Sequence, residues 1–473
     1  MSKLKRVFTH KSKLFFIPLT MIIIIGILVW ACKHPFGPGI SGIDVINGGG
    51  GSGGSIPAKG WYMNESGGPG YKGNVEAYVS TNKIVPSRQK PHGGIVWQKQ
   101  AGNYHYRIPT LMQLPDGDLL AFADRRIGSV GDLPNKIEIV MKRSTDNGTN
   151  WSEEKLVSPQ CVSEKESYGD GAFVIDRKTG NIICVVASGP GFLAPTTAQP
   201  YGSTPEQPTR IKVIKSGNNG NSWESPVDIT DQIYGANCKN QERKTWHGLF
   251  TTSGNGVQLR NGRIMFVLNV RKSANNSPLY NYVMYSDDGG DTWNVSKEAP
   301  GISKNPNRGG SEAKIVELND GTLLMAIRPE SIYQRFFAKS TDNGETWSKM
   351  ESKIELSSSA SNGDIIYYTS TNNGWDKNII ITMFGSRPWT GQGTGPGNPK
   401  LYYSYDEGES WKGLQVFNGN AGYSSLAILK DGSIGILTEL ENSWSGPIYF
   451  MRANMKWLSE DTYTGPFKLE VGQ

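Results

Sequence analysis

Ser340-Thr341-Asp342-Asn343-Gly344-Glu345-Thr346-Trp347 decides the fold, because its Ser-x-Asp-x-Gly-x-x-Trp spacing returns along the chain. It recurs at Ser144/Asp146/Gly148/Trp151, at Ser286/Asp288/Gly290/Trp293 and at Ser404/Asp406/Gly408/Trp411, and a degenerate copy places Asn218 between Ser216 and Gly220/Trp223. Five ordered copies of an eight-residue pattern are an internal repeat, the mark of an array or ring of like units. Each copy follows a short alternating run, such as Ile137, Ile139 and Met141, or Ile211 and Val213, which is the period of a half-buried strand. The box is therefore a turn between strands. Its aspartate accepts backbone N–H groups, its glycine supplies positive φ, and its tryptophan packs down onto the sheet. Such boxes are folding devices, and neither catalysis nor calcium binding is assigned to them.

A second repeat gives the number of units. The turn pairs Asp116/Gly117, Thr179/Gly180, Asn261/Gly262, Asp320/Gly321, Asn373/Gly374 and Asp431/Gly432 each precede an apolar run. Six turns imply six four-stranded antiparallel blades. With 58 Gly, 13 Trp and 20 Tyr against only 19% charged residues, the composition also favours turn-rich sheet over long surface helices. The expected fold is all-β, a six-bladed β-propeller over residues 93–473, in which the final segment from Trp457 to Leu469 completes a blade begun near Ile95.

Upstream the chain reads differently. Lys3, Lys5, Arg6, Lys11 and Lys13 precede the apolar run Leu14 to Trp30, which ends at Ala31-Cys32. A basic segment before a short apolar run describes a secretory signal peptide over residues 1–32, and a small residue directly before cysteine resembles a bacterial lipobox with Cys32 as the lipid attachment site. The alternative is an uncleaved membrane anchor, since the run is near the minimum spanning length. Both readings export the rest of the chain; the lipobox reading places it at the bacterial cell surface or outer membrane as a lipoprotein, with a periplasmic or secreted protein as the alternatives. Residues 33–92 are rich in Gly, Pro, Ser and Asn and read as a flexible linker, with a small binding module between Trp61 and Val85 as the alternative. The +6 net charge comes mainly from the leader, which holds five bases and no acid. The remainder is near neutral, so no basic stripe is left for nucleic acid. Cys161, Cys184 and Cys238 are an odd number that cannot all pair within one chain. With five histidines and no HExxH, neither a metal site nor a cofactor is expected, and the expected state is a monomer.

Charge at the strand ends points to chemistry. Seven residues beyond the turn glycine stand Asp124, Arg328 and Glu439 in three of the six repeats. Equivalent positions of a ring face one axis, so these charges can meet there. Just before the first hairpin the chain reads Tyr106-Arg107-Ile108-Pro109. This YRIP sequence followed by five ordered boxes resembles the bacterial exo-α-sialidase (neuraminidase) family over roughly residues 93 to 473.

What that resemblance implies is specific. Sialic acid carries a carboxylate on its anomeric carbon, which a forked, permanently cationic arginine matches bidentately. The family's three arginines correspond to Arg107, Arg328 and Arg387, the last within Phe384-Gly385-Ser386-Arg387-Pro388. A carboxylate nucleophile would be repelled by the substrate's own carboxylate, and sialidases use tyrosine instead. Tyr423 in Ala421-Gly422-Tyr423-Ser424 corresponds to that nucleophile and Glu312 to the base that activates it. Asp124 and Asp132 compete for the proton donor. The resemblance favours Asp132, twenty-five residues after Arg107 on a Gly-rich loop that can close over substrate. It also implies that Arg126 contacts a ring hydroxyl and that Glu439 orients Arg107. Sialylated glycans are the implied partners. A sialic-acid-binding adhesin would lack Tyr423 or Glu312, whereas a trans-sialidase would share every one of these residues.

Overall fold

The computed structural model describes residues 82–466, apart from 190, 192–208, 274–277, 302–309, 329–333, 360, 387–396 and 441–445. Cys32, the leader, Trp61 and most of the linker lie outside the described residues, as does Arg387. The described strands form six sheets, each a blade of the propeller. Numbered along the chain, blade I is built on Tyr104–Gln113, Leu119–Ile127 and Ile137–Ser144, and blade II on Tyr168–Ile175, Ile182–Ser188 and Arg210–Ser216. Blade III uses Gly248–Thr251, Ile264–Arg271 and Leu279–Ser286, and blade IV Ala313–Glu317, Leu323–Ile327 and Gln334–Ser340. Blade V uses Asp364–Thr369, Ile379–Ser386 and Asn398–Ser404, and blade VI Ala421–Ile428, Ile434–Leu440 and Ile448–Ala453. In blades I to V the outer edge is a strand that follows the box in sequence.

Burial varies with a strand's place in its blade: Arg210–Ser216, before a box, keeps Arg210, Lys212 and Lys215 partly exposed between buried residues, as its alternation suggests, whereas the strand before it does not alternate. Ile182–Ser188 is buried at every position. The reason is that each sheet is covered on both faces by its neighbours. Six apolar clusters occupy the six gaps between adjacent blades: between I and II around Phe122 and Phe173, between II and III around Val185 and Leu268, and so on to VI and I around Phe450 and Leu119. A strand sandwiched in this way needs apolar side chains on both faces, so its sequence loses the clean period of two.

Ring closure differs from the sequence expectation in one respect. The outer strand of blade VI is Gly93–Trp97, paired antiparallel with Ile448–Ala453. The chain's two ends thus share a blade, but the completing C-terminal strand lies before Trp457, and Met455–Leu458 is a short helix capped by Asn454. The linker reading included residues 82–92. Here the Ile84 side chain is buried, and its N–H donates to Asn454 Oδ1 at 3.1 Å.

The boxes act between blades as well as within turns. In each of the four full copies the aspartate accepts the N–H four residues on, as Asp342 Oδ1 does from Thr346 at 2.9 Å. Asn218 Oδ1 does the same for Ser222 at 2.9 Å, so the degenerate copy keeps its function. Box glycines have φ between 77° and 87°, and the residue before each is also left-handed: Asn147, Asn219, Gly289, Asn343 and Glu407. A β-carbon on Gly344 would stand 2.2 Å from Met265 of blade III, and one on Gly148 1.9 Å from Phe450 of blade VI. Each box therefore docks against the blade before it.

Candidate active site

The first strand of a blade lines the axis, and in three blades it is distorted near the end where charge gathers. Register shifts occur between Arg107 and Thr110, between Gly169 and Ala172, and between Ala421 and Ser424. Ile108 and Asp170 sit in these bulges with φ of 61° and 55°. Positive φ is costly for a β-branched residue, and bulges re-aim side chains. Here the re-aimed groups are Arg107, Asp170 and Tyr423.

Glu439, on the second strand of blade VI, joins two of these distortions. Its Oε1 accepts from Arg107 Nε at 3.1 Å and from the Ile108 N–H at 2.8 Å. Its Oε2 accepts from Arg107 Nη2 at 3.1 Å and from the Tyr423 N–H at 3.1 Å. The carboxylate thus fixes the guanidinium in a fork and ties the tyrosine backbone to it. Gly422 makes room: a β-carbon there would lie 2.3 Å from Glu439 Oε2. Thr438 Oγ1, beside Glu439, donates to the Tyr423 carbonyl at 3.0 Å.

Glu312 precedes the first strand of blade IV; its carbonyl accepts from the Arg328 N–H at 2.8 Å, and the Arg328 carbonyl accepts from the Ser311 N–H at 3.1 Å across the hairpin. Tyr423 Oη donates to Glu312 Oε1, and Arg328 Nη1 donates both to Glu312 Oε2 and, at 2.9 Å, to Tyr423 Oη. Burial would raise the pKa of Glu312, but the Arg328 charge and the phenol hydrogen bond outweigh it and hold the carboxyl at about 2. Burial pushes Tyr423 well above the ordinary phenol range, only partly opposed by Arg328. At rest the pair is therefore a neutral phenol against a carboxylate. The Arg107 guanidinium lies 5.1 Å and the Arg328 guanidinium 6.0 Å from the centre of the Tyr423 ring. Two cations thus converge on one phenol, which lowers the cost of its negative charge.

On the blade I side, Asp132 is 46% exposed and pairs with Arg126 Nη2 at 2.7 Å. Arg126 is itself buried, with Nη1 donating to the Val130 carbonyl at 2.6 Å. Asp124, directly opposite Arg107 in the strand ladder, lies below them.

The structure therefore brings together Arg107, Glu312, Arg328, Tyr423 and Glu439, with Arg126 and Asp132 on the adjoining blade. Sequence reading passed over several neighbours. Gly422 carried no pattern by itself. Asp170 left one signal, its place between Gly169 and Gly171 at a strand start. Burial and the charges of Asp124 and Asp132 push its carboxyl well above the usual range. Beneath the site, Asp364 Oδ2 accepts from Asn255 at 3.0 Å, Ser425 at 3.1 Å and the Leu426 N–H at 2.8 Å. Lys314 lies in the same layer, with burial lowering its pKa to about 8. This polar layer borders a cavity of about 60 Å³, lined by residues of all six blades that are mostly apolar but include Asn255. Among the described residues no group of three or more His, Cys, Asp and Glu side chains is placed to hold a metal.

Comparison with known proteins gives a consistent result. Residues 108–432 match the family described as BNR repeat-like domain. The chain is similar to a sialidase of Micromonospora viridifaciens, at 31% identity over 75% of this chain and 52% of that protein, so it spans about half the length of that relative. It is also similar to a sialidase of Clostridium perfringens, at 29% identity over 76% of this chain and 92% of that one. Among solved structures, the Hadza microbial sialidase Hz136 shares the fold at a TM-score of 0.64, with 24% identity over 77% of this chain and 69% of that one.

Proposed function

The chain belongs to the BNR repeat-like family, and from that premise we propose that it is an exo-α-sialidase, a glycoside hydrolase that removes terminal sialic acid from glycans. The observation that carries this reading is the phenol–carboxylate pair of Tyr423 and Glu312, flanked by two guanidinium groups. Sialidases are the glycosidases that use a tyrosine nucleophile. A binding protein would have no use for a base held ionised against a buried phenol.

In the first step the Tyr423 oxygen attacks the anomeric carbon while Glu312 takes the phenol proton. The bond from that carbon to the bridging oxygen breaks, and Asp132 gives its proton to the departing oxygen. In the second step water attacks the same carbon and gives a proton to Asp132, the bond to Tyr423 breaks, and Glu312 returns the phenol proton. Two displacements retain the anomeric configuration. Arg107, Arg328 and Arg387 hold the substrate carboxylate, and Glu439 keeps Arg107 aimed. Because Glu312 sits at about 2, it is ready as a base throughout the neutral range.

The test is to incubate the purified protein with sialyllactose and follow the products by NMR. Free sialic acid appearing first as the α-anomer is the expected outcome. The β-anomer first would overturn the double displacement, and an anhydro sugar or a new sialoside would turn the reading to transfer. The leader and Cys32 support an exported, lipid-anchored protein. In that case the protein takes up labelled palmitate in the cell and Cys32→Ala does not.

A further inference from the structure

Two carboxyls draw on one guanidinium at the blade I side of the site, and a third stands beside them. Arg126 Nη2 forms an ion pair with Asp132 Oδ1 at 2.7 Å and donates to Asp124 Oδ2 at 3.3 Å, while Nη1 holds the Val130 carbonyl at 2.6 Å. Arg126 thus grips the 128–136 loop at two points, and Asp124 grips Arg126 from within the strand. Asp124 and Arg126 are each 1% exposed. Among the described residues, Asp124 Oδ1 and Arg126 Nε have no hydrogen-bond partner. Three groups thus hold the guanidinium: the two carboxyls share Nη2, and the Val130 carbonyl takes Nη1.

A proton donor held against arginine faces a difficulty, because the cation favours the ionised carboxyl. A second carboxyl drawing on the same cation weakens that bias. We propose that Asp124 is a positioning residue for the acid loop: through Arg126 it sets how tightly Asp132 is held as an ion pair, and hence whether Asp132 can carry a proton to the leaving group. The proposal rests on Asp132 being the proton donor. Other groups that face Asp124 are Arg107 from the first strand of blade I, Asp170 from the first strand of blade II and the Cys184 thiol from its second. Glu312 of blade IV acts in turn on Asp170. Burial raises Asp124 to about 7, with Arg126 opposing the rise and Asp132 adding to it.

The test compares the full chain with Asp124→Asn on two substrates across pH. Sialyllactose has an alkyl leaving group that needs a proton, whereas an aryl sialoside releases a phenol that needs far less help. With Asn at 124, Arg126 has Asp132 as its nearest counter-charge. The basic limb of kcat/KM for sialyllactose then moves to lower pH, and the rate at neutral pH falls about tenfold or more. The aryl substrate loses much less. Equal losses on both substrates, or an unmoved limb, would overturn the proposal, since a merely structural role has no leaving-group dependence. Asp132→Asn is the reference. If it damages both substrates alike, the acid assignment itself fails; if it is selective and Asp124→Asn is not, only the present proposal fails. Should Asp124→Asn not fold, carboxyl carbon-13 titration of the unaltered protein answers the same question. Coupled two-step curves for the two aspartates support the proposal, and a single independent step for Asp132 overturns it.

Discussion

The rim of the ring and its axis are built from the same strands under opposite rules. At the rim, five boxes repeat one local arrangement, with positive φ mainly on glycine or asparagine and four aspartates and one asparagine that satisfy turn N–H groups. Toward the axis each blade departs from its neighbours. Ile108 and Asp170 occupy left-handed backbone, and Arg107, Asp124, Arg126, Glu312 and Glu439 are buried with their charges. Regularity holds the ring and irregularity makes the site, so strained or charged residues concentrate where the repeat is broken.

Substitutions should separate the two regions. The largest effect belongs at the axis: Tyr423→Phe should lower kcat by more than the roughly hundred- to ten-thousandfold worth of one proton-transfer group, with KM and melting temperature little changed. At the rim, Trp347→Ala should cost about 3–5 kcal/mol of stability, read by denaturant melts, while the folded fraction keeps its kcat. Should Trp347→Ala instead abolish turnover in folded protein, the division between rim and axis would be wrong.

Gly422→Ala sharpens the comparison, because its new β-carbon would press on Glu439 Oε2 and displace both Arg107 and the Tyr423 backbone. A loss of activity on the order of a hundredfold, with a much smaller change in melting temperature, is expected from steady-state kinetics beside thermal melts. Proton linkage gives a subtler contrast. Asp124 has its folded pKa raised from 3.8 to about 7, so its contribution to stability is full below 3.8 and lost as pH rises through 7. Glu312, lowered from 4.5 to about 2, contributes fully above 4.5 and loses this as pH falls through 2. Melts at pH 5 and pH 8 should therefore show a smaller alkaline loss in Asp124→Asn than in the parent. Smallest of all, Asp342→Ala removes hydrogen bonds at an exposed turn and should cost about 1 kcal/mol, with no change in kinetics.

The same contrast explains what could be read without coordinates. The rim was legible because its turn chemistry is local: the hydrogen bonds of Ser340 and Asp342 close within eight residues, even though Gly344 and Trp347 also pack against the preceding blade. Arg328 and Glu439 were legible as charged ends of apolar strands at a fixed distance from a turn glycine. Gly422 was not, since its partner Glu439 lies on another strand and no local pattern records a missing β-carbon. Asp170 and Lys314 were hidden for a related reason, as their neighbours come from other blades. The final strand was misplaced because ring closure requires a C-terminal strand beside Ile95 without saying which one, and Ile448–Ala453 takes that place.

Sharing one blade between the first and last strands has a consequence for synthesis. Gly93–Trp97 leaves the ribosome before any of the first five blades, yet its pairing partner Ile448–Ala453 follows all of them. Until then its ladder hydrogen bonds have no protein partner. Arg107 meets Glu439 across that same junction, so a growing chain acquires its bound guanidinium only when the circle shuts. A product truncated before residue 439 would carry most of its blades and still be inert.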